Sequence, residues 1–123
     1  MTAPNLKSPT TITGKTKVYP VNTIDPDPPA EVLANASNSN KVLKINSIFC
    51  ANVDGTDTAY ITLSIYNGTT NYYLAYELVV PDQATQIISS KETYFYLEEG
   101  HSIRAIASAT GDLSLTIGYE EIE

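Results

Sequence analysis

One histidine, one cysteine, three close pairs of carboxylates and the acidic run of Glu120, Glu121 and Glu123 are the side chains of this 123-residue chain whose types could do chemistry. His101 is the sole histidine, which removes the Ser/His/Asp and Cys/His systems, because each needs an imidazole base beside its nucleophile. It follows Gly100 at the start of a strand pattern and reads as a solvated turn position. One His and one Cys cannot fill a zinc site. Cys50 lies between Phe49 and Ala51 in an apolar run and reads as a buried, inert thiol.

The carboxylate pairs are Asp25 with Asp27, Asp54 with Asp57, and Glu98 with Glu99. Each lies in a Pro- or Gly-rich turn or linker, where acids are expected because they are solvated and start turns. Asp54-Gly55-Thr56-Asp57 is similar to the first half of a calcium loop but lacks the later oxygen positions and the closing Glu. Every glycine stands alone, so no phosphate-cradling loop is present. Asn67-Gly68-Thr69 matches the glycosylation pattern, and without a secretion signal that match counts as accidental. No cofactor and no metal is expected, and the chain reads as a non-enzyme.

The elements that must position these residues are strands. The length suits one domain that buries roughly two thirds of its unfolded surface. Its charged fraction of 17% is low, with Asn, Thr and Ser supplying the polar surface, a composition that favours strands and turns. The formal charge of −7 argues against nucleic acid and against anionic membrane surfaces, both of which call for a basic track. The first residues show no basic and apolar leader, and the single cysteine permits no internal disulfide. Folding in a reducing cytoplasm is the expectation.

Residues 1–30 read as an extended, proline-rich N-terminal arm, with 31–123 as the folded domain. Asp25-Pro26-Asp27-Pro28-Pro29 must be a polyproline-like link, since proline fixes φ and cannot donate to a ladder. Within the arm, residues 10–19 have the β-branched content of an edge strand that could pair with a neighbouring subunit. Further strands are expected at 41–52, 59–66, 71–80, 85–90, 94–97, 101–109 and 113–122, separated by turn signals near Asp54-Gly55, Asn67-Gly68, Pro81-Asp82 and Gly111-Asp112. In 41–52, Val42, Lys44, Asn46, Ile48 and Cys50 should share one face. Residues 32–36 could form a single helical turn, but Pro28-Pro29 before them and Asn38 to Asn40 after leave little room for it. Seven to eight strands predict an antiparallel β-sandwich or jelly roll.

Nine tyrosines and no tryptophan are the one oddity of composition. Most fall on expected strands, where cross-strand packing is their ordinary role. The competing role is an interface, because tyrosine offers a large contact area with a polar tip. Partner contacts are therefore expected from the arm, at Ile12, Val18, Tyr19, Pro26, Pro28 and Pro29, and from Tyr72 and Tyr73. A glycan-binding sheet face using the same tyrosines is the alternative of a different class.

Several segments resemble small virion proteins of tailed, particularly marine, bacteriophages. They are Ile48-Phe49-Cys50-Ala51-Asn52-Val53-Asp54-Gly55, Tyr72-Tyr73-Leu74-Ala75, Val79-Val80-Pro81-Asp82, the run from Tyr96 to Ala105, Ala107-Ser108-Ala109 and Tyr119-Glu120-Glu121-Ile122. The resemblance implies a β-sandwich located on a virion, as a head decoration protein or a neck, tail or fibre part. It implies contacts with copies of itself, a trimer by analogy with three-fold positions, and with a major capsid or neck or tail protein. It implies no catalytic residues.

Overall fold

The computed structural model describes residues 3–24 and 27–123. Among them lie nine strands: β1 Ile12–Val21, β2 Ala30–Ala34, β3 Val42–Asn52, β4 Ala59–Tyr66, β5 Asn71–Val80, β6 Thr85–Ser89, β7 Phe95–Leu97, β8 Ser102–Ala107 and β9 Leu113–Ile122, with one short 3-10 turn at Lys91–Thr93. They form two antiparallel sheets, ordered β1-β9-β3-β6 with β7 also on β3, and β2-β8-β4-β5. Folding the chain in half between β4 and β5 pairs each early strand with a late one: β4 with β5, β3 with β6 and β7, β2 with β8, β1 with β9. That is a long hairpin wrapped into two layers, the jelly-roll connection.

The core lies between the layers. Ile45, Ile48, Cys50, Leu115 and Ile117 from one sheet meet Ile61, Leu63, Val80, Ile103 and Ala105 from the other, all fully buried. Burial pushes the Cys50 thiol up to about 11, so it is protonated at neutral pH.

Three sequence expectations change. The helical turn considered at 32–36 does not form: residues 32–34 belong to β2, paired to β8, and Asn35 and Ala36 follow it. A bulge there leaves Val32 unpaired with Val32 and Leu33 both buried, so the alternation that marks a strand is missing. In β3 the extra residue Asn46 switches the inward face, so Leu43 and Ile45 point in before it and Ile48 and Cys50 after it. At this switch Gly118 lies opposite Ser47, where a Cβ would stand 2.9 Å from the Ser47 Oγ. Finally, the strand read in the arm lies at a sheet edge as expected, but it forms against its own chain: it pairs at ten positions with β9, without a bulge, and Val21 at its end is fully buried. The link at Asp25 and Pro26 lies outside the described residues. Of the rest of that link, Pro28 is exposed and Pro29 half-buried.

Two buried asparagines tie the layers together at opposite ends of β3. Asn35, just after β2, donates through Nδ2 to the carbonyls of Leu97 at 3.0 Å and Lys41 at 2.9 Å, while its Oδ1 accepts from Ser39 Oγ at 2.6 Å. Asn52, ending β3, donates to the carbonyls of Val80 at 2.9 Å and Asp57 at 3.0 Å, and its Oδ1 accepts from the Asp54 N–H at 2.9 Å. Each amide thus satisfies backbone groups of both sheets or their loops. Replacing either by alanine strands a buried carbonyl and is expected to lower unfolding free energy by about 1–3 kcal/mol. Urea unfolding should show the two losses adding to within about 0.5 kcal/mol.

Candidate interaction surface

The chemistry-bearing residues do not converge. His101 is half-buried, with its carbonyl accepting the Asn35 N–H at 2.9 Å. Asp54 caps its own turn, accepting from the Thr56 N–H at 3.0 Å, and this bond holds its carboxyl below the usual range. Asp112, on the adjoining loop, is raised first by loss of solvent and then by the nearby Asp54 and Asp57 charges. Among the described residues no three His, Cys, Asp or Glu side chains are disposed to hold a metal.

What the fold does collect is exposed apolar and aromatic surface. The β5–β6 side of the sandwich, where the layers part, carries Tyr72, Tyr73, Leu74, Tyr76, Val79 and Ile87 in the open, Tyr76 at 64% and Ile87 at 71% of full exposure. Leu74, Tyr76, Val79 and Ile87 line an open groove of about 580 Å³ whose floor includes Ala75, Leu78 and Ile88. The same side continues over the outer face of the first sheet. There Val18, Thr116, Phe49 and Ile87 lie directly opposite one another across four strands, with Val18, Phe49 and Ile87 exposed.

Bulges in β5 shape the second exposed area. Two register shifts give β5 one extra residue near Glu77, which sits at φ 49°, and another at Leu74. Residues three apart normally point to opposite faces of a strand; the extra residue puts Tyr73 and Tyr76 on one face. Their rings meet edge to face at 4.9 Å. With Tyr60, Thr62, Ile106, Glu77, Asp27 and Pro29 they line a cleft of about 150 Å³. The Glu77 N–H is satisfied by Thr62 Oγ1 at 3.0 Å.

The structure therefore brings Pro29 and Tyr73 together and separates the other residues expected to make contacts. Tyr72 pairs with Ile65 on the opposite face and is exposed. Ile12 and Val18 are exposed on β1, whereas Tyr19 packs against the core. Pro26 lies outside the described residues. Sequence reasoning did not single out Tyr76, Val79, Phe49 or Ile87. Their exposure depends on bulges and on which strands form the edges, which strand alternation does not carry.

Ion pairs cluster at the end of the first sheet where β3 begins and β9 finishes. Glu121 accepts from Lys41 Nζ at 3.0 Å and from Lys15 Nζ at 3.1 Å, while Lys44 stands 4.0 Å from Glu120 and 4.5 Å over the Tyr94 ring. The bond from Lys41 holds the Glu121 carboxyl below its ordinary value of 4.5, and the same bond raises Lys41 above 10.5. Comparison of the chain with protein-family models, curated proteins and solved structures finds no match.

The signs of these shifts set a pH window. The lowered carboxyl stabilises the fold above pH 4.5, and this is lost as pH falls through its folded value. The raised ammonium stabilises below pH 10.5, and this is lost as pH rises through its folded value. Glu121→Gln should unfold at lower urea concentration than the parent across that window. The gap between the two should close below about pH 4.5 in urea titrations.

Proposed function

We propose that the chain is a non-enzymatic structural subunit of a bacteriophage virion, a decoration protein that stabilises the head through contacts with copies of itself and with the major capsid protein. The observation that carries this reading is the exposed surface of Tyr73, Leu74, Tyr76, Val79 and Ile87 along the β5–β6 side, continuous because Tyr76 both meets Tyr73 and lines the groove with the others. A contiguous apolar area rimmed by polar residues marks an interaction site on a soluble domain. Tyrosine is also the side chain that interfaces favour. Two further points support the reading: the segments that resemble small phage virion proteins, and the jelly-roll connection, which also builds viral coats. The same architecture also serves lectins and cupins.

A trimer on three-fold positions of the head is the arrangement proposed, with a neck, tail or fibre position as the alternative on the same particle. The two differ in copy number, hundreds on a head against about a dozen at a neck, a contrast set by symmetry. Quantitative mass spectrometry of purified particles should find the chain at high copy. Tyr73→Ala with Ile87→Ser should reduce its incorporation, while melting stays within about 0.5 kcal/mol of the parent because both side chains are exposed. Particles that lack the chain, or unchanged incorporation of the variant, contradict the proposal.

The cleft of Tyr60, Tyr73 and Tyr76 beside Asp27 and Glu77 favours a second reading, a glycan-binding module, because sugars stack on aromatic rings and bond to carboxylates. Glycan-array binding that disappears in Tyr73→Ala would support it, and a blank array would remove it.

A further inference from the structure

Four of the sheet-edge strands carry devices that discourage pairing. β2 has five residues and a bulge, β6 five residues and a bulge, β7 three residues, and β5 two bulges with Glu77 at positive φ. Such short, kinked edges are how soluble sheets avoid adding foreign strands. β1 lacks those backbone devices, being ten residues long, paired to β9 without a register shift and exposed from Ile12 to Val18. Its guards are side chains, Lys15 and Lys17 with Pro20 at the end, and the lysines repel a basic strand but not an acidic one.

The phase of its ladder fixes which groups are free. Thr11 and Glu123 exchange both backbone bonds, Thr11 N–H to Glu123 O at 3.1 Å and Glu123 N–H to Thr11 O at 3.0 Å. Bonded and non-bonded pairs alternate in an antiparallel ladder. Thr13, Lys15, Lys17 and Tyr19 therefore bond to β9, and the N–H and C=O groups of Ile12, Gly14, Thr16 and Val18 point away from it. Pro20 falls in the outward phase, where its missing N–H costs the ladder nothing.

Charge says what fits this edge. Residues 1–24 hold three of the chain's seven basic residues, Lys7, Lys15 and Lys17, and none of its fourteen acidic ones. Lys15 shares the Glu121 carboxylate with Lys41, and Lys17 has no acidic partner among the described residues. A second copy pairing its own β1 here across a two-fold would set Lys15 and Lys17 of both chains on one face, and like charges opposite each other oppose pairing.

We propose that the free edge of β1 takes an extended acidic segment of a partner protein as an added strand, with carboxylates beside Lys15 and Lys17 and apolar side chains beside Ile12 and Val18. Backbone bonds at four outward positions supply affinity, and alternate side chains supply selectivity, as in other strand-addition complexes. The inference rests on the reading of the chain as an assembly subunit and names the chemistry of one of its partners.

The test uses the full chain and two capped ten-residue peptides, one alternating Val and Glu, the other alternating Val and Lys. The acidic peptide should bind more tightly than about 1 mM at low salt, weaken as salt rises, and shift the NMR amide signals of Ile12, Gly14, Thr16 and Val18. Lys17→Glu should reverse the preference between the peptides. Thr16→Pro should lower affinity at least tenfold, about 1.4 kcal/mol, since it removes an outward donor and no bond to β9. If Thr16→Pro melts early, Lys17→Glu alone decides. Equal binding of both peptides, binding of neither, or β1 signals that shift with protein concentration alone overturn the proposal, the last by making a second copy the occupant. Loss of the peptide result with incorporation into particles intact removes this inference and leaves the assembly reading standing.

Discussion

The pairing of β9 on both of its sides is the constraint on which the structure depends. Ten residues of β9 meet ten of β1 on one side, and ten pairings hold it to β3 on the other, with a single bulge at Asn46. Leu113, Leu115 and Ile117 thereby reach the centre of the core. The last strand of the chain thus joins the first to the third, and the wrapped hairpin closes at the point where its ends meet. Such non-local pairing is costly in chain entropy and becomes favourable only when the whole sheet forms. Asn35 and Asn52 then fix how the second sheet lies on the first, one at each end of β3. Because their partners are backbone carbonyls, they specify position and not just contact.

Strand alternation in the sequence is legible where strands run unbulged. Residues 59–66 and 113–122 are the bounds of β4 and β9, and Leu113, Leu115 and Ile117 face inward as their spacing requires; the bounds of β5, 71–80, are legible as well, but its two bulges are not. It fails where a partner strand decides the geometry. Val32 and Leu33 are adjacent and both buried because of a bulge against β8, and Ile45 and Ile48 share the core because of Asn46. Nothing in the composition of these segments encodes a bulge; its position follows from the strand opposite. The same reason hides much of the candidate surface. Tyr72 and Tyr73 are conspicuous in the sequence, whereas the meeting of Tyr73 with Tyr76 requires the extra residue at Leu74.

The surface features have a common origin in this architecture. A two-layer sandwich leaves its layers open along the sides, and on this chain one side holds apolar residues of β5 and β6 while the other ends in the plain edge of β1. Bulges blunt β5 for backbone pairing and turn its tyrosines outward, so that side offers side-chain contact. β1 has no such device and offers backbone contact. A subunit with two different contact modes on opposite sides is suited to an assembly in which it touches more than one neighbour, the role proposed for it.

The central claim is that β1 belongs to its own chain's sheet and leaves one edge open. Amide hydrogen exchange on the dilute protein tests it most directly, because bonded amides are protected and outward ones are not. Slow exchange at Thr13, Lys15, Lys17 and Tyr19 with fast exchange at Ile12, Gly14, Thr16 and Val18 is the result predicted. Fast exchange along the whole of β1 would contradict it, showing a strand that forms only against another molecule.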